Sequence, residues 1–376
     1  MRPREIIFLS PIKAEDRPIV DPFRYLERQG LITVTYVEFG FLGQLGMILR
    51  GKERSPVSRV FKNLARVLAL FFQRDRILLL GTEPFRVLSL GINWLKARHR
   101  CIYHTSWAWD EETLTEPTWI PFRRRIWRSF LRDTISVSFT RNGCAGLTRH
   151  GARAFYVPHN VDTEIFHPAP DRPRKVPETI VLFAGNLERT KGIHLIIDVI
   201  RNYPWNGLTF WFAGRGRFED EIERLERDGH PVRNVGFVRD RQQLADLYRS
   251  ADMLILPSIQ LGREEERFGM VLIEAMACGL PVIASDCAGP RQIIAGGEDG
   301  LLIPQNDGHA LRESILRLAS APALRADMGR RGRKKAVDEY DVRIVARRWM
   351  EVIECAVAPD GQAVAIAEPS FVNPEP

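Results

Sequence analysis

Glu266-Arg267-Phe268-Gly269-Met270-Val271-Leu272-Ile273-Glu274, continued by Ala275-Met276-Ala277-Cys278-Gly279-Leu280-Pro281-Val282-Ile283-Ala284, is the stretch from which the chain is read. Phe268-Gly269 breaks a loop, Met270 to Ala277 reads as a helix, and Gly279 with Pro281 stops it. Val282 to Ala284 then reads as a short buried strand. Glu266 and Glu274 stand eight residues apart, the first just before the helix and the second about one turn inside it. The backbone N–H groups of Gly269 and the residues after it open the helix, and such an opening binds anions. Carboxylates that accept hydroxyls beside a phosphate-binding helix start suit a nucleotide-sugar.

Working outward, apolar runs separated by amphipathic segments recur on both sides. An N-terminal series comprises Ile6–Leu9, Val34–Val37, Ile77–Leu80, Cys101–Tyr103, Ile135–Phe139 and Phe155–Val157. A second series comprises Ile180–Gly185, Leu208–Ala213, Val235–Phe237, Met253–Leu256, Val282–Ser285 and Leu301–Ile303. This alternation predicts doubly wound α/β domains. At 376 residues the chain exceeds one ordinary core and divides into two. The division reads as 1–160, a Pro-, Arg- and Asp-rich linker over 161–178, and 179–340. A final helix over 341–357 carries Val345, Trp349, Val352 and Ile353 on one face, and 358–376 reads as a disordered tail.

Cys101, Cys144, Cys278, Cys287 and Cys355 are scattered, so neither a zinc site nor a disulfide framework is indicated, and a reducing, cytoplasmic compartment fits. The apolar part of the N-terminus is too short for a signal peptide, and no run long enough to span a bilayer occurs. The net charge of +7 fits contact with an anionic lipid, donor or nucleic acid. No recognised nucleic-acid motif is present.

The opening stretch resembles the E-x7-E signature of family four retaining glycosyltransferases, which have the GT-B fold. Val157-Pro158-His159-Asn160-Val161-Asp162-Thr163-Glu164-Ile165-Phe166-His167-Pro168 is similar to that family's I-P-N-G-V-D-x-x-x-F-x-P. The resemblance covers about residues 135 to 357 and is strongest from 157 to 305. It implies two Rossmann-like domains facing across a cleft, the N-terminal one binding acceptor and the C-terminal one binding nucleotide-sugar, with the final helix packing back on the first domain. Under it, Glu266 serves the sugar hydroxyls and Glu274 the ribose hydroxyls. Phe268, Gly269, Met270 and Val271 surround sugar and diphosphate through main-chain N–H groups.

Ala184-Gly185-Asn186-Leu187-Glu188-Arg189-Thr190-Lys191-Gly192 follows a strand and opens a helix, with glycines that permit close phosphate approach. The family's loop is G-R-L-x-x-x-K-G. Lys191 stands at its lysine, but Asn186 replaces its arginine, so either Arg189 substitutes or donor binding is weakened or altered. Gly214 and Gly216 match the G-x-G loop lining the nucleotide pocket, and the base is held near Phe237. UDP, GDP and ADP donors all stay open. In Ser285-Asp286-Cys287-Ala288-Gly289-Pro290-Arg291-Gln292, Gln292 stands where glutamate is usual. The chain has no D-x-D pair, which agrees with a metal-independent mechanism needing no cofactor, in which Lys191, Arg189 and the helix start neutralise the diphosphate.

The N-terminal half departs further. The family's Gly-Gly turn after the first strand is replaced by Ser10 to Pro18. His104 matches a histidine near the reacting centre in relatives, with a structural histidine as the alternative. Trp107 and Trp109 stack on a sugar or pack in the core. Over 119–132, Arg124, Arg125, Arg128 and Arg132 share one arc, while Trp119, Phe122, Ile126, Trp127, Phe130 and Leu131 fill most of the rest. Such a helix lies on an anionic membrane, implying a lipid-linked acceptor at its inner face, or packs in a core with a solvated arginine face.

The expected function is retaining transfer of a sugar from a nucleotide-diphosphate donor to a saccharide or lipid-linked acceptor, with Glu266, Lys191 and His104 as catalytic candidates. A nucleotide-sugar epimerase or hydrolase, and a non-catalytic nucleotide-sugar-binding protein, are the alternatives.

Overall fold

The structure, a computed structural model, describes residues 3–11, 18–41, 57–82, 87–107, 109–110, 120–169, 178–262 and 264–358. The turn after the first strand (12–17), Trp119, the linker's 170–177 and the tail from 359 lie outside the described residues. The chain divides into two compact units, Met1–Pro158 with Val345–Pro376, and His159–Ile344.

The first unit holds a six-stranded parallel sheet of β1 (Arg4–Ser10), β2 (Ile32–Glu38), β3 (Ile77–Leu80), β4 (Arg100–Thr105), β5 (Ile135–Ser138) and β6 (Arg153–Tyr156), in the order β2-β1-β3-β4-β5-β6. Its described α-helices are α1 (Asp21–Arg28), α2 (Val57–Leu70), α3 (Ile92–Arg98), α4 (Arg123–Leu131) and α5 (Arg141–Arg149). Parallel strands are covered on both faces, which is why β3 reads as unbroken Ile-Leu-Leu-Leu rather than as an alternation. One face packs Phe8, Phe23 and Ile102 against Val345, Trp349, Val352 and Ile353, the face anticipated for the final helix. The other packs Leu78, Leu80 and Tyr103 against Trp109, Trp127 and Phe130.

The second unit carries β7 (Thr179–Ala184), β8 (Leu208–Ala213), β9 (Val232–Gly236), β10 (Met253–Leu256), β11 (Val282–Ser285) and β12 (Leu301–Ile303), all parallel, in the order β12-β11-β10-β7-β8-β9. Its α-helices are α6 (Ile193–Asn202), α7 (Glu219–Arg227), α8 (Arg241–Ser250), α9 (Met270–Ala277), α10 (Pro290–Ile293), α11 (Gly308–Ser320) and α12 (Pro322–Lys335), with α13 (Val342–Val357) leading back into the first unit. Sequence order reverses between β7 and β10. Ligands of such sheets sit beyond the strand C-termini at that reversal, so the loops after β7 and β10 are where a site is expected.

All twelve anticipated strands are present, with β6 and β9 starting two and three residues earlier than expected. β9 runs Val232–Gly236, so Phe237 lies just past its end rather than within it. The reason is its edge position, where only one flank is paired and alternation replaces an apolar run. Val232 is buried while Arg233 is exposed and lays its guanidinium over the Trp211 ring at 4.7 Å.

Candidate functional site

The loop after β7 is pinned to the loop after β8 by its backbone. Gly185 N–H donates to the Ala213 carbonyl (2.9 Å) and Leu187 N–H to that of Arg215 (3.0 Å). Gly214 N–H donates in turn to Gly236 (2.9 Å), so the Gly214–Gly216 turn is fixed between the β7 and β9 ends. Gly192 ends a single 3-10 turn, Arg189–Lys191, and starts α6 at φ +74°. A Cβ there would sit 1.9 Å from the Pro257 carbonyl oxygen, so only glycine lets the β7 loop lie against the end of β10. That approach directs Lys191 toward the loop after β10.

In that second loop Glu266 is held by its own backbone. Its carbonyl accepts from Gly289 N–H (2.9 Å), and the neighbouring Glu265 carboxylate accepts from Ala288 N–H (2.6 Å). Phe268 is buried between the His159 ring (4.9 Å, edge-on) and Tyr340 (6.0 Å). Gly269 turns the chain into α9 at φ +95°, a conformation that side chains resist. Met270 and Val271 follow in the first turn, where backbone N–H groups have no intrahelical acceptor. Lys191 Nζ donates to Glu266 Oε2, an ion pair largely withdrawn from solvent beside this helix start.

Glu274, one turn inside α9, is half-buried, and its Oε2 accepts the Tyr248 hydroxyl at 2.9 Å. Burial pushes the Glu274 carboxyl up to about 7, against the opposing pull of the Tyr248 bond and the Arg241 charge. Burial also raises the Tyr248 phenol well above its ordinary value, and the Glu274 charge raises it further. The His159 imidazole is pushed down to about 4 by burial, so it is neutral at pH 7. At the far end of α9, Arg333 on α12 donates to the carbonyls of Ala277 and Phe166, both at 2.8 Å. A cation on those last carbonyls anchors the helix that carries the site.

The arrangement thus joins a cation, a carboxylate and a helix N-terminus within one unit. The remaining polar side chains of the β7 and β8 loops are placed differently. Arg189 and Asn186 are exposed, Arg217 pairs with Glu188 (2.7 Å), and the Arg215 guanidinium lies 4.5 Å over the ring of Phe237, itself 53% exposed. Gln292 donates to the Ala288 carbonyl (2.6 Å), so it braces the turn that holds Glu266. Among the described residues no cluster of His, Cys, Asp or Glu could hold a metal ion.

In the first unit, His104 is buried at the end of β4 in an aromatic nest of Phe8 (5.2 Å), Phe139 (5.8 Å) and Trp349 (6.4 Å). Trp109 is fully buried and packs on Trp127 (5.2 Å), so it belongs to the core rather than to a sugar-stacking surface; Trp107 is half-buried against the same cluster. Helix α4 starts at Arg123, with Arg123, Trp127, Phe130 and Leu131 buried. The described part, 120–132, therefore turns Trp127, Phe130 and Leu131 inward, leaves Phe122 exposed, and keeps Arg124, Arg125, Arg128 and Arg132 in solvent.

Sequence reasoning missed Tyr248, Arg333 and His159. The first two sit on helices far along the chain, with no local spacing tying them to Glu274 or α9. His159 lies inside a motif in which another residue is usual.

Residues 169–335 match the family described as Glycosyl transferases group 1. The chain is 32% identical over 224 residues to a phosphatidyl-myo-inositol mannosyltransferase of Mycobacterium leprae, covering 58% of this chain and 57% of the relative. It is 31% identical over 221 residues to a D-inositol 3-phosphate glycosyltransferase of Xylanimonas cellulosilytica, covering 53% and 50%. The chain spans about half the length of the curated relatives it matches. Among solved structures, Anabaena HepE in complex with UDP and glucose matches with TM-score 0.67 at 17% identity, covering 94% of this chain and all of that one. Sucrose-phosphate synthase from Thermosynechococcus elongatus matches with TM-score 0.67 at 19% identity, covering 94% and 98%. The fold is GT-B, two Rossmann-like domains, as the resemblance implies.

Proposed function

We propose that the protein is a glycosyltransferase that moves a sugar, with retention and without a metal ion, from a nucleotide-diphosphate donor to a lipid-linked or saccharide acceptor. The observation that carries this reading is the Lys191–Glu266 pair beside the Gly269 helix start, at the sheet's point of reversal and inside the stretch that matches Glycosyl transferases group 1.

In this mechanism the donor diphosphate lies on the opening N–H groups of α9 and draws Lys191 to its charge. Glu266, held by its backbone, accepts hydroxyls of the transferred sugar. Glu274 accepts ribose hydroxyls once it is ionised. As the bond from the sugar's anomeric carbon to the diphosphate oxygen breaks, the acceptor oxygen bonds to that carbon on the same face. The acceptor's proton passes to the leaving phosphate oxygen. Lys191 and the helix start stabilise the charge that develops there, and positioning supplies much of the rest. The inositol-lipid and inositol-phosphate acceptors named for two relatives support a polyol acceptor, lipid-borne in the first case.

The test is thermal stabilisation and turnover with UDP-, GDP- and ADP-sugars in EDTA, with the product anomer read by NMR. One nucleotide class should stabilise the protein and support transfer with retained configuration. Lys191→Ala should lower kcat by about 10²- to 10³-fold or more while the protein remains folded. A Lys191→Ala, Glu266→Ala double variant that is folded and still active sinks the assignment. Donor hydrolysis without transfer across acceptors would favour a hydrolase instead.

A further inference from the structure

Helix α2 is apolar on two sides. Val60, Val67 and Leu70 are buried on one. On the opposite side Phe61, Ala65, Leu68 and Phe72 recur at helical spacing, Phe72 through a turn in which its N–H donates to Ala69. Phe61 is 63% exposed, Leu68 53% and Phe72 85%. Isolated exposed apolar side chains are ordinary, but four on one stripe are an interaction surface.

The stripe continues onto the next helix. Trp94 of α3, 50% exposed, donates its indole N–H to the Phe71 carbonyl at 2.9 Å, which sets it against the turn bearing Phe72. Leu90, one turn earlier and 52% exposed, adjoins Gly91, where the Phe71 ring approaches so closely that a Cβ would lie 2.5 Å from it. The Arg98 guanidinium rests 4.5 Å over the Trp94 ring.

The helices that form and adjoin this surface carry charge of one sign. Helices α2, α3 and α4 together contain nine Lys and Arg and no Asp or Glu. Arg59 pairs with Glu38 (2.9 Å) and Lys96 donates to the last carbonyls of α4, while Lys62 and Arg66 flank the stripe exposed. A second copy pairing through this face would bring like charge against like charge. A partner that takes both the aromatic stripe and the cations must be apolar and anionic at once.

We infer that the α2–α3 face of the first unit docks on an anionic lipid surface, with Phe61, Leu68, Phe72, Leu90 and Trp94 entering the headgroup–acyl boundary and Lys62, Arg66 and Arg98 meeting lipid phosphates. Aromatic rings and long basic side chains favour that depth. No described helix is long and apolar enough to cross a membrane, so the contact is interfacial. This inference goes beyond the transfer reading and does not rest on it. It also differs from the lipid reading of 119–132, one of the two the sequence leaves open, since Trp127, Phe130 and Leu131 face the core as in the other.

The test is co-sedimentation of the full chain with vesicles of phosphatidylcholine alone or with about 30% phosphatidylglycerol, read without donor or acceptor. The wild type should bind the anionic vesicles about tenfold or more tightly than the neutral ones. Phe61→Ser, Leu68→Ser, Phe72→Ser together should cost about tenfold or more. Lys62→Glu with Arg66→Glu, which leaves the apolar stripe intact, should cost at least about fivefold per residue and remove the dependence on phosphatidylglycerol. Equal binding by wild type and triple variant, or no preference for anionic vesicles, overturns the inference. So does a wild-type dimer in sedimentation velocity that the triple variant dissolves, which would make the face a contact between copies.

Discussion

Helices α9 and α2 are both rich in apolar residues, yet they end in opposite situations. In α9, Leu272, Ile273, Ala275, Met276 and Ala277 are buried, and the helix is apolar nearly all round. A helix of that kind has no solvent face and must be enclosed. Its polar positions are correspondingly few, and Glu274 has to find a hydrogen-bond donor in Tyr248. In α2 the inner residues fill a core while an outer stripe of Phe61, Leu68 and Phe72 stays in solvent. Enclosure makes α9 a rigid platform whose N-terminus can be aimed at a ligand. Exposure leaves α2 with apolar surface that only association can cover.

The comparison breaks most visibly where enclosure is complete. Ile273 is fully buried, so Ile273→Ala removes packed atoms and leaves a cavity. The expected loss of stability is about 2–5 kcal/mol, measured by denaturant unfolding with the second unit's transition followed separately. A loss below about 1 kcal/mol would mean that α9 is not packed as described.

Next in size is the cost of placing Glu274 beside that core. Its carboxyl is raised from 4.5 to about 7, so across that window the folded protein holds a proton that the unfolded chain has released. Stability therefore falls as pH rises from about 4.5 through 7, by on the order of 2 kcal/mol after allowance for partial exposure. Glu274→Gln should flatten this dependence, measured as unfolding free energy at a series of pH values. The same titration bears on the proposed function. Donor affinity should rise through pH 7 in the wild type, as the carboxylate becomes an acceptor for ribose hydroxyls, and lose that rise in Glu274→Gln. A flat wild-type profile in both measurements would mean that Glu274 is ionised throughout.

How far the sequence carried the reading differs between the two helices for the same reason. Around α9 the determinants are consecutive: Phe268-Gly269 breaks the chain, Gly279 and Pro281 stop it, and a buried strand follows. Contiguous signals of that kind, and unbroken strands such as β3 and β10, are legible because the cause lies within a few residues. Glu274 with Tyr248 was not legible, because the pair forms only when β10 brings α8 beside α9. Nor was the face of a basic helix that would meet water. Trp127 and Trp94 both sit among arginines and lysines, yet Trp127 donates to buried Ser89 and is enclosed, while Trp94 stays half in solvent. Periodicity locates a helix's stripes; it does not say which stripe the sheet will cover. The double stripe of α2 is the extreme case, since both sides satisfy the pattern of a core face.

The smallest effect is expected on that outer stripe, and it is the most discriminating. Leu68 is 53% exposed, and alanine has at least its helix propensity. Leu68→Ala should therefore change stability by no more than about 0.5 kcal/mol in the same unfolding assay in which Ile273→Ala costs several. The two substitutions remove aliphatic side chains of equal size, so the difference between them reports chiefly on enclosure. A loss of 2 kcal/mol or more at Leu68 would mean that the α2 stripe is covered within the folded protein. In that event the outer face of α2 would be a second core surface, and a lipid would have nothing there to bind. A neutral result keeps α2 as the one of the pair whose apolar surface still awaits a partner.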